Sequence, residues 1–420
     1  MAEEQGTARR RAPRRRRRSA DDMGASTLPR RLSIAMLAAC PFPTRQGTQV
    51  VIRHLAEALT RVGHEVHFIT YGYGEWEEDF SFHLHRAARV DAGLRSGPSL
   101  RKPAADAALM LTAARVAKTY SCDLWHAHNV EALGLGALLK LQTGLPLVYH
   151  AHNAMGPELP TYFRAHLAQA FASLVGDVLD RTLPRAADAV ITFDPDHKAL
   201  HEVYGIDEKR IHVIPPGLAG DDVAHADKAA VASVRKQLGP GPWLLYAGNP
   251  DGYQNLPLMW RALALVREKR PEVKLLVATH HAPETFAEEM AAAGTHDGVV
   301  VQRFSELSEL QALFAVADVG LSPRTIWTGA PIKILNYLAA GLQVVACRSA
   351  ARHLISSSCG LLVEDTPEAF AAGILQMLDR PAANRQKCRR AFERFQIDAH
   401  VPLYEAVYKR VLGKRLQKSG

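Results

Sequence analysis

Two successive series of short apolar runs, with helical periodicity between the runs, constrain the fold more than any other feature of this chain. In the first series residues 32–39, 65–71, 122–127, 146–150, 188–193 and 210–214 read as strands, and residues 49–62 and 167–179 repeat apolar positions at helical spacing. In the second series residues 243–247, 274–278, 299–302, 319–321 and 344–346 read as strands, with helical stretches at 256–269 and 309–317. Short runs of Val, Ile and Leu alternating with helices belong to parallel sheets covered on both faces. Two such series imply two doubly wound Rossmann-like α/β domains facing a central cleft. The turn Pro215-Pro216-Gly217 and the polar, Ala-rich stretch up to Lys228 read as the connection between them. The expected division is a tail at 1–30, a first domain at 31–212 and a second at 213–394, with a helix at 395–415 packing back on the first. The stretch 72–103, rich in Gly, Arg and His, takes no assignment.

The net charge of +8 misleads about the folded body, because residues 1–31 hold ten Arg against four acidic residues and carry +6 of it. The run from Arg14 to Arg18 lacks interleaved aromatics and an apolar face, so it reads as a solvated tail and no nucleic-acid partner is expected. Met23 is an alternative start. No run of eighteen apolar residues occurs, and the Arg-rich beginning lacks the apolar core of a secretory signal. Five cysteines without metal-type spacing read as free thiols of a reducing compartment, and the expected location is the cytoplasm.

The stretch from Ser322 to Gly341, SPRTIWTGAPIKILNYLAAG, reads as a loop that rises onto a helix. Pro323, Gly329 and Pro331 interrupt regular structure, and Ile334, Leu335, Leu338 and Ala339 then recur at helical spacing. Free amides at a helix start suit an anion, and Arg324 and Lys333 supply countercharges on either side. Gly47 stands just before the first helix, where a missing Cβ lets a ligand approach the backbone. The tetrapeptide HAHN occurs at His126–Asn129 and again at His150–Asn153, each time at the end of a strand run. No Cys or carboxylate completes a ligand set in the neighbouring sequence, so no metal is expected.

The order VADVGLSPR, TGAPIKILNYLAAG and VVA resembles the donor-binding segment of retaining glycosyltransferases of family four, which have the GT-B fold. PFPTRQGTQVVIRHLAEALTRVGHEVHFIT, DLWHAHN, LVYHAHN, VIPPG and YAGNPDGYQNLPLMWRAL resemble further family segments in the family's order, from about Arg31 to Val411. The resemblance implies transfer of a hexosyl group from a nucleotide-diphosphate sugar to a hydroxyl, with retention at the anomeric carbon and with neither metal nor cofactor. It also implies a glycan or lipid-linked acceptor, in the setting of bacterial cell-surface polysaccharide synthesis, and peripheral contact with the inner membrane.

Carried over residue by residue, Gly47 faces the diphosphate and His152 lies near the donor hexose, as the catalytic residue. Thr328 and Asn336 stand where the family has two Glu that contact the sugar and the ribose. Asn249 and Gln254 stand where it has an Arg and a Lys that meet the diphosphate. Arg324, Lys333 and the Gly329, Ala330 and Pro331 backbone are then the available anion partners. The stretch Ser121 to Tyr162 reads as the acceptor side of the cleft, and Glu158 and Tyr162, with Phe163, either contact an acceptor or cover a helix. Two alternatives stay open: a non-catalytic GT-B protein that binds a nucleotide-sugar or supports a partner enzyme, and a nucleotide-sugar epimerase, for which no clear carboxylate base is present.

Overall fold

The structure is a computed structural model that describes residues 28, 30–44, 46–75, 78–90, 97, 99–220, 226–295, 297–304, 307–380 and 385–416. Nearly all of the Arg-rich tail, Met23 and part of the expected connection, residues 221–225, lie outside the described residues.

Seven strands form one wholly parallel sheet in the order β3-β2-β1-β4-β5-β6-β7. They are β1 (Ser33–Ala38), β2 (Glu65–Thr70), β3 (His83–Arg86), β4 (Leu124–His128), β5 (Leu147–Ala151), β6 (Ala189–Thr192) and β7 (Ile211–Val213). Six more, β8 (Trp243–Ala247), β9 (Lys274–Thr279), β10 (Val299–Arg303), β11 (Val319–Ser322), β12 (Gln343–Cys347) and β13 (Gly360–Val363), form a second parallel sheet in the order β10-β9-β8-β11-β12-β13. This is the pair of doubly wound sheets that the two series imply.

Side-chain alternation divides each sheet between two helical layers. On the first sheet Ile34, Met36, Val148 and Ile191 pack against α1 (Gly47–Arg61) and the C-terminal helix Ile397–Leu416, through Ile52, Leu55 and Leu59 of the one and Ile397, Val401, Tyr404 and Val407 of the other. Ala35, Leu37, Trp125 and Tyr149 point the opposite way, onto α2 (Lys102–Tyr120) and α3 (Asn129–Thr143). The second sheet is covered on one face by the helices Leu307–Val316 and Lys333–Ala340, and on the other by Leu256–Lys269 and Pro367–Leu378. The chain passes between the two bodies twice, and the crossings lie side by side: the Leu218 amide donates to the Phe395 carbonyl at 2.9 Å and the Ile397 amide to the Leu218 carbonyl at 3.1 Å.

Several elements depart from the periodicity reading, β13 among them, since residues 360–363 belong to neither series of strands. The unassigned stretch holds β3, an edge strand whose sequence HLHR has a single apolar residue, and it leads into α2, whose Ala-rich sequence is apolar on too many sides to mark one face. The HAHN histidines are placed differently too: β4 runs through His128 and β5 through Ala151, so His126, His128 and His150 sit inside strands and only His152 follows one. No helix among the described residues is long and apolar enough to cross a membrane.

Candidate functional site

In doubly wound sheets the carboxyl ends of the strands form the crevice that receives ligands. Here those ends face each other across the two bodies. Gly47 opens α1 after β1, His152 follows β5, Asn249 follows β8 and Arg324 follows β11. The sides meet in main-chain contact: Asn153 and Gly329 form an antiparallel bridge, and the Ala154 amide donates to the Thr328 carbonyl at 2.6 Å. Gly329 has φ +157°, and a Cβ there would fall 2.2 Å from the His152 carbonyl oxygen, so this approach requires glycine. Gly47 faces Ile332, and a Cβ on it would lie 3.3 Å from the Ile332 Cβ.

On the second body the loop from Pro323 to Ile332 is organised around Arg324. Its guanidinium donates to the Thr328 hydroxyl and to the Ile326 carbonyl and lies over the Tyr253 ring, 5.1 Å from the centroid. Lys333 opens the helix Lys333–Ala340 with its ammonium over the Tyr246 ring, 3.9 Å from the centroid, and donates to Gln254 Oε1 at 2.7 Å. Gly248 allows this, since a Cβ there would come within 2.9 Å of Lys333 Nζ. Gln254 reaches Asn249 Oδ1 at 3.4 Å, and Asn249 donates to Asp251 at 2.6 Å. Burial pushes the Lys333 pKa well down, the Arg324 charge adds to that, and Asp251 opposes it. Asn336 is half-buried on the first turn of the same helix, which Pro331 and Ala330 of the loop precede.

On the first body the segment after His152 forms α4 (Met155–Glu158) and a 3-10 turn, Leu159–Tyr162. Tyr162 donates to Glu158 Oε1 at 2.7 Å, and the Glu158 carboxyl is pushed up by burial against the opposing charge of Arg324. The structure therefore brings both expected acceptor-side residues toward the donor loop. Phe163 lies just beyond them and is exposed.

Sequence reasoning passed over three groups of partners. Tyr246 and Tyr253 supply the aromatic faces beneath the two cations. They stand in YAGNPDGYQN, where an aromatic beside a glycine-rich loop was the available signal. The second group joins the bodies at a distance: Trp327 Nε1 donates to Asp194 at 3.3 Å, and Arg352 and His353 meet Asp196 at 2.6 and 2.7 Å. Nothing in the local sequence pairs residues so far apart.

The third group is His128, whose Nδ1 lies 3.0 Å from His152 Nε2. His152 is 1% exposed, stands edge-on to Phe193, and keeps its Nδ1 without a protein partner. Because strand residues two apart share a face and β4 pairs with β5 in the register His128 to His150, four histidines gather in one buried cluster. Donor atoms of His126, His128 and His150 come within 4.8 Å of one another, a grouping that the local sequence conceals. The His126 and His150 rings lie 5.5 Å apart at 13°, and His126 Nδ1 meets the Tyr408 hydroxyl at 2.9 Å. In the other triple among the described residues, Asp194, Asp196 and His353, Asp196 already meets His353 at 2.7 Å and Asp194 accepts from Trp327.

Burial pushes His126 and His152 down to about 3 and His201 down to about 4, and holds His128, His150 and His197 well below the ordinary imidazole value. The unfolded chain takes up these protons near pH 6.5, and the native state takes them up only at lower pH. The native state thus binds fewer protons in that window, and stability falls as pH falls. Urea unfolding should show a lower midpoint at pH 5 than at pH 7.5, the unfolding free energy falling by at least about 1 kcal/mol per pH unit with the slope unchanged. An equal midpoint at both values would contradict neutral burial of the cluster.

Comparison with known proteins fits this geometry. The family model described as Glycosyltransferase Family 4 matches residues 45–219, and that described as Glycosyl transferases group 1 matches residues 241–380, one on each body. The chain is 25% identical to the D-inositol 3-phosphate glycosyltransferase of Segniliparus rotundus over 352 residues, 80% of this chain and 77% of that one. Sucrose-phosphate synthase from Thermosynechococcus elongatus superposes with a TM-score of 0.75 at 18% identity, over 91% of this chain and all of that one. The HepE protein of Anabaena, solved with UDP and glucose, superposes with a TM-score of 0.69 at 16% identity, over 89% and 98%. The two matched halves, in this order on two facing doubly wound sheets, place the chain in the family-four glycosyltransferases of GT-B fold, to which it belongs.

Proposed function

We propose that the protein transfers a hexosyl group from a nucleotide-diphosphate sugar to a hydroxyl of a glycan or lipid-linked acceptor, with retention and without a metal. The observation that carries this reading is the direct contact of Asn153 and Ala154 with Gly329 and Thr328, which sets His152 against the loop bearing Arg324 and Lys333. In this reading Lys333 and Arg324 face the diphosphate, and Gly47 leaves room for it from the opposite body. Thr328, Asn249, Gln254 and Asn336 offer neutral hydrogen bonds where the family carries charge. The unpartnered Nδ1 of His152 meets a hydroxyl of the hexose.

Retention then needs no protein nucleophile. The bond from the anomeric carbon to the phosphate oxygen breaks, and the acceptor oxygen bonds to that carbon on the same face. The acceptor proton passes to the departing phosphate oxygen. Cations positioned at the leaving group stabilise the charge that develops there, and hydrogen bonds to ring hydroxyls favour the oxocarbenium-like stage. The acceptor belongs to cell-surface glycan assembly on the cytoplasmic face of a bacterial inner membrane. D-inositol 3-phosphate, for which the curated relatives are named, is a second acceptor to assay.

One observation favours a second reading, a non-catalytic GT-B protein. Several of the neutral replacements are already satisfied within the chain, Thr328 by Arg324, Gln254 by Lys333 and Asn249 by Asp251. A calorimetric screen of UDP-, GDP- and ADP-sugars, paired with a donor-consumption assay, separates the two. Binding of one nucleotide class with turnover supports the transferase. Binding with neither hydrolysis nor transfer selects the second reading, and no binding by any donor overturns both.

A further inference from the structure

Three histidines beside His152 are arranged as a ligand set. His126 and His128 stand two residues apart on β4, and the register of His128 with His150 on β5 brings all three together under the C-terminal helix. Each is fully buried, and one nitrogen of each lies within 4.8 Å of the others. The ring centroids are 4.3, 5.5 and 5.2 Å apart. Three imidazoles on one tetrahedral ion, each nitrogen about 2 Å from it, hold their centroids roughly 5 Å apart.

Hydrogen bonding selects the nitrogens. His126 Nδ1 meets the Tyr408 hydroxyl at 2.9 Å, and His128 Nδ1 meets His152 Nε2 at 3.0 Å. In both rings Nε2 is left buried without a protein partner, and neither nitrogen of His150 has one. Imidazoles that merely pack can pair N–H with N, as His128 and His152 do, whereas these four nitrogens of one cluster lack what a native core ordinarily supplies. A metal-binding histidine has this form: the ion takes one nitrogen and a neighbouring group fixes the N–H of the other. With the Nδ1 proton of His126 on the Tyr408 oxygen and that of His128 on His152 Nε2, each Nε2 keeps its lone pair for an ion.

The donor type selects the ion. Imidazole nitrogen suits zinc, copper or nickel, whereas magnesium and calcium need oxygen, and the set holds no carboxylate. Tyr404 packs on His126 and His150, and its buried hydroxyl is a further oxygen without a partner at the cluster. The local sequence points away from a metal because no Cys or carboxylate is near either HAHN; strand register builds the set from the two segments together.

We propose that His126, His128 and His150 bind one transition-metal ion of the zinc class in the core of the first body. These ligands belong to β4 and β5 and not to the donor loop, so the proposed transfer still uses no metal at the diphosphate. The ion fixes the His128 tautomer that donates to His152 Nε2, which leaves the His152 proton on Nδ1, the atom assigned to the hexose. That last link rests on the proposed transferase reading; the metal site does not.

The test is metal analysis of the full chain, prepared without a polyhistidine tag and dialysed against EDTA. Dialysis strips ions from exposed histidines, while an ion in the core leaves only when the core opens. The protein as isolated, or refolded with zinc sulfate, should hold about one ion per chain, and His150→Phe should lower that content by about tenfold or more. Refolding with cobalt(II) should give the visible absorption of a four-coordinate site in the wild type and none in the variant. Melting supplies a readout of opposite sign. His150→Phe removes two unpartnered nitrogens from the core, so it should hold or raise the melting temperature if the imidazoles only pack, and lower it if they bind an ion that stabilises the native state. Should the variant not fold, the wild-type metal content and cobalt spectrum still decide. A wild type that holds no stoichiometric ion after either preparation would overturn the proposal in favour of a packed imidazole cluster. An ion that His150→Phe retains would overturn it in favour of another site. Donor binding, measured separately, reports on the transferase reading, so its failure and the failure of the metal site remain distinct.

Discussion

Lys333→Ala should lower kcat/KM for donor-dependent transfer by about 10²- to 10³-fold, the range expected when one preorganised partner of developing charge is removed. The ammonium stands at the start of a helix, over the Tyr246 ring, and is tied to Gln254. The family positions that hold an Arg and a Lys are filled here by Asn249 and Gln254, so Lys333 and Arg324 carry the cationic part of the site in the proposed mechanism. Burial depresses the Lys333 pKa in the free protein, and a bound diphosphate would favour its charged form. Calorimetry should find most of the donor affinity lost in Lys333→Ala. Full turnover by the variant would remove Lys333 from the mechanism.

How much of this was legible in the sequence differs between backbone and site. The two sheets could be read because strands buried on both faces leave uninterrupted Val, Ile and Leu runs, as at β8 and β12. β3 could not, because an edge strand has one neighbour and HLHR tolerates exposure. The helix Leu256–Lys269 was bounded correctly, since Pro257 marks its start and its apolar positions recur regularly. At the site, Lys333 and His152 could be found because each lies in a local motif. The partners that define their chemistry could not: Gln254 is 79 residues from Lys333, and His128 is 24 residues from His152. Only strand register puts the two histidines together.

A neutral residue at the Thr328 position changes the chain's internal connections. A Glu in that place would pair with Arg324 as an ion pair, whereas the Thr328 hydroxyl accepts a single bond from it and leaves the guanidinium to the Ile326 carbonyl and the Tyr253 face. Arg324 is therefore neutralised less completely by its own loop. It remains attracted to the Glu158 carboxyl across the cleft. An anionic donor entering between the two bodies would compete for a cation that no carboxylate of its own loop holds, which is a physical route by which a site without the family's charged residues keeps an anion partner.

His152→Ala should lower kcat by about 10²- to 10³-fold while leaving donor affinity within a few fold, because the lost interaction strengthens as the sugar departs rather than on binding. The imidazole is placed for this by three constraints: His128 holds Nε2 at 3.0 Å, Phe193 fixes the ring edge-on, and Nδ1 is left without a protein partner. Burial pushes its pKa to about 3, so it works as a neutral hydrogen-bonding group. The wild-type profile should show no acid limb from this residue between about pH 5 and 8. An acid limb near pH 6.5 that disappears in His152→Ala would mean that the imidazole titrates during turnover, and the neutral role would fall. His152→Asn separates positioning from packing, since it keeps a polar group near the vacated site. Partial recovery of kcat over His152→Ala at an equal melting temperature would assign the effect to the hydrogen bond, and equal kcat for the two variants would assign it to the lost ring.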